Sequence, residues 1–536
     1  MTNPRNPFLA AAAIATLTLC PVLVIFQAGF NAEPDIWAHL VQFVLPELVL
    51  NSLILVIGVV GLTAFLGISL AWLTALHEFP GRRFFEKALL LPLAIPAYVM
   101  AFIYTGLLDF SGPVQTLIRS QMPVLAPWFP EIRSAGGVIL VISLSLFPYV
   151  FLMTSSGFKS MGQSVIEASQ SLYSSRFSTL LRVIIPMARP WIFGGLILVF
   201  METLADFGAV SIFNYDTFTT GIYKAWYGLF SIHAAAGLAS ILVLIVLVLF
   251  GLEFYLRKKQ QFFNANSHTQ ALRTPLTGNR GRIAAGYAGM VLGLAFVIPV
   301  VQLTIWTISS FGLEFNTHYF TLLFNTFSLG TMGMGLTMVT ALVLVYCTRI
   351  MNDVKTGMAA KLSLAGYAMP GTVLAVGIIQ MVAMADTVAA RGLELFGIHI
   401  SGPLFQGSLA LLPLGYMVRF MTVGYNPLFA NYTRITLSMD EAARLLKISP
   451  TGLVTKIHLP LIHQGFFTGC ILVLVEIIKE LPITLMLRPF GWDTLAVKIF
   501  ELTSEGEWER AALPALTLVI FGMIPIFMLT RIGDKK

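Results

Sequence analysis

Apolar residues along this chain come in long unbroken runs rather than at amphipathic spacing. A helix crossing the hydrocarbon of a bilayer needs about 20 mostly apolar residues. A dozen runs approach or exceed that length, at 8–28, 47–76, 86–108, 136–157, 190–212, 232–256, 283–309, 320–349, 359–384, 404–424, 464–486 and 509–531. The pattern predicts twelve spanning helices, and so an all-α polytopic membrane protein. Two polar stretches stand out between the runs. One is RKKQQFFNANSHTQALRTPLTGNRGR, residues 257–282, which reads as a linker because it has no apolar period. The other is EASQSLYSSRFSTLLRVIIP, from Glu167 to Pro186, a polar and helix-like interruption between the fourth and fifth runs.

The second stretch occurs twice. Shifting the chain by 274 positions places Asn51 on Asn325, Pro96 on Pro370, Glu167 on Glu441, Ala168 on Ala442, Pro186 on Pro460 and Glu202 on Glu476. The counterpart of the opening stretch is EAARLLKISPTGLVTKIHLP, Glu441 to Pro460. The chain therefore divides into a first half at 1–256, the linker at 257–282 and a second half at 283–536. Each half has six predicted spans, an even number, so the repeats are parallel and a pathway is expected where they meet.

Composition agrees: 57% of the 536 residues are hydrophobic and 11% charged, against about 25% charged in soluble domains. The net charge of +7 matters through its distribution. Most Lys and Arg fall in one alternate set of loops and tails, which places both termini in the cytoplasm. With the charge so explained, no nucleic-acid partner is required; the lipid bilayer is the expected surrounding. The opposite loops hold more than half of the acids, Glu501, Glu505, Glu507 and Glu509 among them. Arg5 ahead of the first run allows a secretory-signal reading, but no small-residue cleavage pattern follows, and an uncleaved first helix is expected. Cys20, Cys347 and Cys470 lie in or at the ends of apolar runs, so neither disulfide nor metal site is expected from them. His233, His458 and His463 read as interface or capping residues.

Four acids fall within predicted spans, where a charge is costly unless paired or hydrated. Glu202 and Asp206 are four apart, as are Glu476 and Glu480, so each pair is expected on one helix face. They are candidate pathway residues for a cation. The competing reading has them fixing helix packing through Lys479 or Arg419.

The repeated polar segment has two readings from its residues. It is an interfacial helix on anionic lipid, or one of a pair of knobs that dock soluble partners; Gln170, Ser171, Ser174, Ser175, Ser178 and Thr179 leave it only a thin apolar stripe, which favours docking. Here the residues resemble a family. Glu-Ala-Ala, three residues, Gly, nine residues, Ile, one residue, Leu-Pro is the coupling motif of permeases in binding-protein-dependent ABC importers. Glu441, Ala442, Ala443, Ile457, Leu459 and Pro460 match it; Glu167, Ala168 and Pro186 match more loosely. Neither copy has the glycine, which is Tyr173 in one and Lys447 in the other. The departure predicts either a more continuous helix or a bend made by Ser174 and Ser175 in one copy and by Ser449, Pro450 and Gly452 in the other.

The resemblance implies a type I ABC importer permease (MetI-like) fold of two parallel six-helix repeats in a bacterial inner membrane. It implies two copies of a cytoplasmic ABC ATPase on the coupling segments and a periplasmic substrate-binding protein outside. METLADFGAV at 201–210 and KELPITLMLRPFGWDTLAVKIFELTSEGEWERAALPA at 479–515 resemble fused permeases of ferric-iron importers. Thiamine is the competing cargo, with Tyr223, Trp226, Tyr227 and Trp492 available for cation-π contact. A carrier driven by an ion gradient is a different class, and the duplicated coupling motif argues against it. The sequence has no Gly-x-x-x-x-Gly-Lys-Ser/Thr loop and no Ser-His-Asp, metal or paired-carboxylate constellation. The chain is therefore expected to be no enzyme and to hold no cofactor, with ATP bound by the partner.

Overall fold

The computed structural model describes residues 5–30, 33–124, 126–161, 176–258, 273–351, 353–399, 402–433, 435–446 and 450–533. The regular secondary structure of the described residues is helical except for the short parallel pair His77–Glu78 and Thr274–Pro275, with His77 opposite Thr274. Among the described residues, ten helices are long and apolar enough to cross a membrane. Two more elements, Ile232–Val248 and Leu411–Tyr432, account for the sixth and tenth predicted spans. Large apolar side chains such as Leu23, Ile57, Phe65 and Ile308 point outward. A surface of that kind suits hydrocarbon rather than water.

The chain packs as two compact units. The first comprises 1–38, 222–243 and 316–498. In it the helices Thr317–Met351, Leu411–Tyr432 and Leu459–Lys479 pack around Tyr416, Leu344 and Val473, all buried. The N-terminal helix Arg5–Gly29 lies against Thr317–Met351, Val354–Ser363 and Gly371–Glu394. At Gly377 it comes so close that an added Cβ would stand 2.4 Å from the carbonyl oxygen of Pro21.

The second unit comprises 39–221, 244–315 and 499–536. Its centre is formed by Leu45–Leu76, Ala135–Ser160 and Ile185–Ala205. The helix Ile298–Glu314 lies on Trp508–Gly533, which in turn covers the short turn Leu91–Ala94. Each unit thus contains segments from both halves of the sequence. Repetition in sequence and compactness in packing are different divisions of this chain.

The structure changes several predicted spans. The second helix begins early, at Pro34, and runs to Leu76. The third and ninth runs are interrupted by 3₁₀ turns, Leu91–Ala94 and Ala365–Ala368. Each turn is followed by a proline, Pro96 or Pro370, at φ −56° and ψ 145°, from which a new helix starts. Proline sits well at such a start, since the first helical donors have no intrahelical acceptor. The tenth helix starts at Leu411, not near 404. Residues 404–406 instead form a turn whose three backbone N–H groups donate to the Asp386 carboxylate at 2.8–3.1 Å, flanked by Gly402 and Gly407 at positive φ.

Four π-helical turns occur among the described residues: Leu40–Val44, Leu180–Ile184, Gly293–Val297 and Val454–His458. Each is followed two residues later by proline, at Pro46, Pro186, Pro299 and Pro460. A proline removes one donor from the ladder and its ring crowds the carbonyl four residues back. Widening the turn by one residue relieves that crowding without ending the helix. The turns at 180–184 and 454–458 are 274 apart, as are the helices Ile185–Ala205 and Leu459–Lys479 that follow them. The repeat seen in sequence is also a repeat in backbone conformation.

Candidate coupling and pathway sites

Of the coupling residues read from sequence, Glu167 and Ala168 lie outside the described residues, as does Tyr173. In the second copy, Leu437–Leu445 is a helix carrying Glu441, Ala442 and Ala443. Glu441 is exposed, whereas Ala443 is buried. The helix ends at Leu445 and another begins at Pro450, with Gly452 inside it. Lys447 and Ser449, on which the expected bend turns, lie outside the described residues, and Pro450 heads the second helix. Pro460 and Pro186 each stand at the head of a spanning helix, directly after a π turn.

The base of this segment is fixed by residues that sequence reasoning did not select. Arg349, at the end of Thr317–Met351, donates to the carbonyl oxygens of Ile435 at 2.7 Å and Thr436 at 3.2 Å. Its guanidinium also sits 5.3 Å from the centre of the Tyr432 ring. The Tyr432 hydroxyl bonds His458 Nδ1 at 2.5 Å, and both residues are buried. His458 thus links the helix before the segment to the π turn after it, in the packing role expected of it. Leu445 and Leu446 are left 85% and 75% exposed. An acidic side chain and two bare leucines on a short, well-anchored helix make a surface suited to a partner's groove.

The intramembrane acids separate into two kinds. Glu202 and Glu476 lie within their helices and are half-buried. Glu476 accepts from Lys479 Nζ at 3.3 Å. Against the expectation from their spacing, Asp206 and Glu480 do not continue the helix faces of Glu202 and Glu476. The helices end at Ala205 and Lys479, and each acid is the first residue beyond. Both acids are themselves in extended backbone, Asp206 at φ −66° and ψ 127° and Glu480 at φ −71° and ψ 124°, and in both copies the carboxylate satisfies the donors of a new short helix. Asp206 Oδ1 accepts from the N–H groups of Ala209 and Val210 at 3.0 and 3.1 Å, while its carbonyl accepts from Thr219 Oγ1. Glu480 accepts from the N–H groups of Ile483 and Thr484 at 2.9 and 3.0 Å and from Thr484 Oγ1 at 3.0 Å.

Glu480 has one further partner. Arg419 Nη1 stands 3.9 Å from its Oε1, and the pair lies close against Gly371. A Cβ there would lie 2.5 Å from Arg419 Nη1 and 2.8 Å from Glu480 Oε1. At the matching positions of the first half stand Ala97 and Ser145, so Asp206 has no counterpart of Arg419. Cys20, Cys347 and Cys470 are free thiols, and no cluster of metal-ligating His, Cys, Asp or Glu occurs among the described residues.

Comparison with known proteins follows this geometry. The family model described as "Binding-protein-dependent transport system inner membrane component" matches residues 63–259, which include the first coupling copy, Glu202 and Asp206. The Fe(3+)-transport system permease protein FbpB 2 of Haemophilus influenzae is 28% identical over 495 residues, 91% of this chain and 90% of the relative. The ferric transport system permease protein FbpB of Actinobacillus pleuropneumoniae is 22% identical, over 83% of this chain and 65% of its own length. The sulfate transport system permease protein CysT of Escherichia coli is 25% identical over 145 residues, 27% of this chain and half of its own. The relatives are transport subunits rather than enzymes. This all-α, multi-pass chain thus carries a match to the permease domain in its first half and is similar along nine-tenths of its length to a ferric-transport permease.

Proposed function

We propose that this chain is the fused permease of an ATP-driven importer for iron(III). Cargo arrives from a periplasmic binding protein, and the work is done by two copies of a separate cytoplasmic ABC ATPase docked on the segments beginning at Glu167 and Glu441. Both termini face the cytoplasm of a bacterial inner membrane. The observation that carries the reading is the anchored helix Leu437–Leu445, with Glu441 outward and Leu445 and Leu446 bare. Iron is favoured over an anion because the relatives that run along most of the chain are named for ferric transport, while the sulfate relative covers about a quarter.

Glu202 and Glu476 are the pathway acids in this reading, because Asp206 and Glu480 already serve as caps. Partly hydrated carboxylates suit a cation in transit. Replacing both, Glu202→Gln with Glu476→Gln, is expected to lower iron uptake by about tenfold, the equivalent of roughly 1.4 kcal/mol, while the ATPase still assembles. Unchanged uptake assigns the two acids to packing.

The reading itself is tested in proteoliposomes holding the permease with its ATPase and binding protein. Radioactive iron(III) should enter only with ATP and both partners, and thiamine should not. Entry driven by an ion gradient without ATP overturns the proposal, and ATP-driven entry of thiamine in place of iron overturns the cargo.

A further inference from the structure

The second unit holds a basic cavity that the transport reading leaves unused. The short helix Arg82–Ala88 and the last turns of Ala135–Ser160 enclose about 490 Å³. Four cations line it, Arg82, Arg83, Lys87 and Lys159, with Glu86 as the single acid. Arg82 is buried and committed: it pairs with Glu78 at 2.9 Å and with Glu86. Lys159 Nζ lies 2.5 Å from Glu86 Oε1. Burial pushes the Glu86 carboxyl up, but Lys159 and Arg82 outweigh it and hold the group below the usual carboxylate range, so Glu86 stays ionised. The lining still carries an excess of positive charge.

Two further observations specify the occupant. Ser155, 4% exposed, lines the cavity with its hydroxyl buried and without a hydrogen-bond partner. A buried hydroxyl left unpaired is destabilising, and an acceptor in the cavity would relieve that. The basic mouth also continues into apolar surface: Leu152 in the wall is 41% exposed and the neighbouring Phe84 62%.

We infer that this cavity binds the phosphate of an anionic phospholipid, with Arg83, Lys87 and Lys159 around the headgroup, Ser155 donating to a phosphate oxygen and the acyl chains along Leu152. A free phosphate would satisfy the cations but has no use for the apolar wall. A zwitterionic headgroup would bring its own cation into a site already positive. Charge distribution places this mouth on the cytoplasmic leaflet, and the helix that ends at Ser160 leads into the segment carrying Glu167. A bound lipid would therefore hold the root of the first coupling segment.

The experiment is site-specific labelling of Lys159 in the purified full chain, with a water-soluble amine reagent read by peptide mass spectrometry. Phosphatidylglycerol should protect Lys159; phosphatidylcholine and millimolar inorganic phosphate should not. Arg83→Glu should raise the phosphatidylglycerol concentration for half-protection by about tenfold, on the scale of one interfacial charge reversed. Ser155→Ala, a smaller change for the fold, should raise it several-fold. Equal protection by phosphatidylcholine, or protection by phosphate alone, overturns the assignment to an anionic lipid. Unchanged half-protection in both variants overturns the site.

Discussion

Reversing the charge at both coupling glutamates, Glu167→Lys with Glu441→Lys, is expected to leave the permease inserted and to abolish ATP-driven uptake. Glu441 is exposed on the helix Leu437–Leu445, so its replacement should cost little in folding. The loss should fall on association. A carboxylate meeting a basic groove gains a charge-assisted hydrogen bond, and a lysine in its place puts like charges together at a cost of several kcal/mol. That lowers affinity by a hundredfold or more per docking site. The measurement is ATPase co-purification beside ATP-dependent uptake in vesicles. Assembly and uptake should fail together, with the Glu441 single variant already impaired, since its copy of the motif is the better match. Normal coupled uptake in the double variant refutes the docking role. Leu445→Ser is a useful companion, because it should weaken docking with no change of charge.

That prediction rests on features the sequence made legible to different degrees. Spanning helices were legible because the bilayer demands long apolar runs, and the 274-residue repeat extends down to paired π turns. The breaks at Leu91–Ala94 and Ala365–Ala368 were hidden because the chain stays apolar through them; only Pro92, Pro96 and Pro370 hinted at a turn. The tenth span was placed early for a similar reason. LFQG looks apolar, but Gly402, Gly407 and the distant Asp386 make it a turn. No local pattern could show that Arg5–Gly29 packs on Gly371–Glu394, since every lipid-facing helix offers a similar apolar surface.

At the coupling site, the outward glutamate was readable and its support was not. Arg349 has no distinguishing signal in the sequence, yet it holds two carbonyl oxygens at the root of the segment. The motif prolines acquire a physical role that pattern matching does not supply. Pro186 and Pro460 widen the helix where the coupling segment joins the spanning helix.

The acids were misread where period-based reasoning ignores chain breaks, and that error leads to the second large expected effect. Glu480→Ala should destabilise the protein far more than Asp206→Ala. Both substitutions strip the donors of a short helix that follows a break, a capping loss of about 0.5–2 kcal/mol. In the first half that is the main cost, because Ser145 stands where the second half has Arg419. In the second half the carboxylate also faces Arg419, and its neighbour Thr484 is tied to the Tyr416 hydroxyl at 2.7 Å. Deleting Glu480 leaves a guanidinium inside the helical core without its counter-ion. Breaking one side of such a pair costs about 3–5 kcal/mol. Thermal unfolding in detergent should therefore show a small shift for Asp206→Ala and a large one for Glu480→Ala. The double variant Glu480→Gln with Arg419→Met should recover much of the loss, since it removes both charges and keeps a side chain at each position. Gly371→Ala should also lower the unfolding temperature, since its Cβ would stand 2.7 Å from Pro482 Cγ as well as 2.5 Å from Arg419 Nη1. Equal shifts for Asp206→Ala and Glu480→Ala would mean that the Arg419 contact contributes nothing and that the two caps are energetically the same.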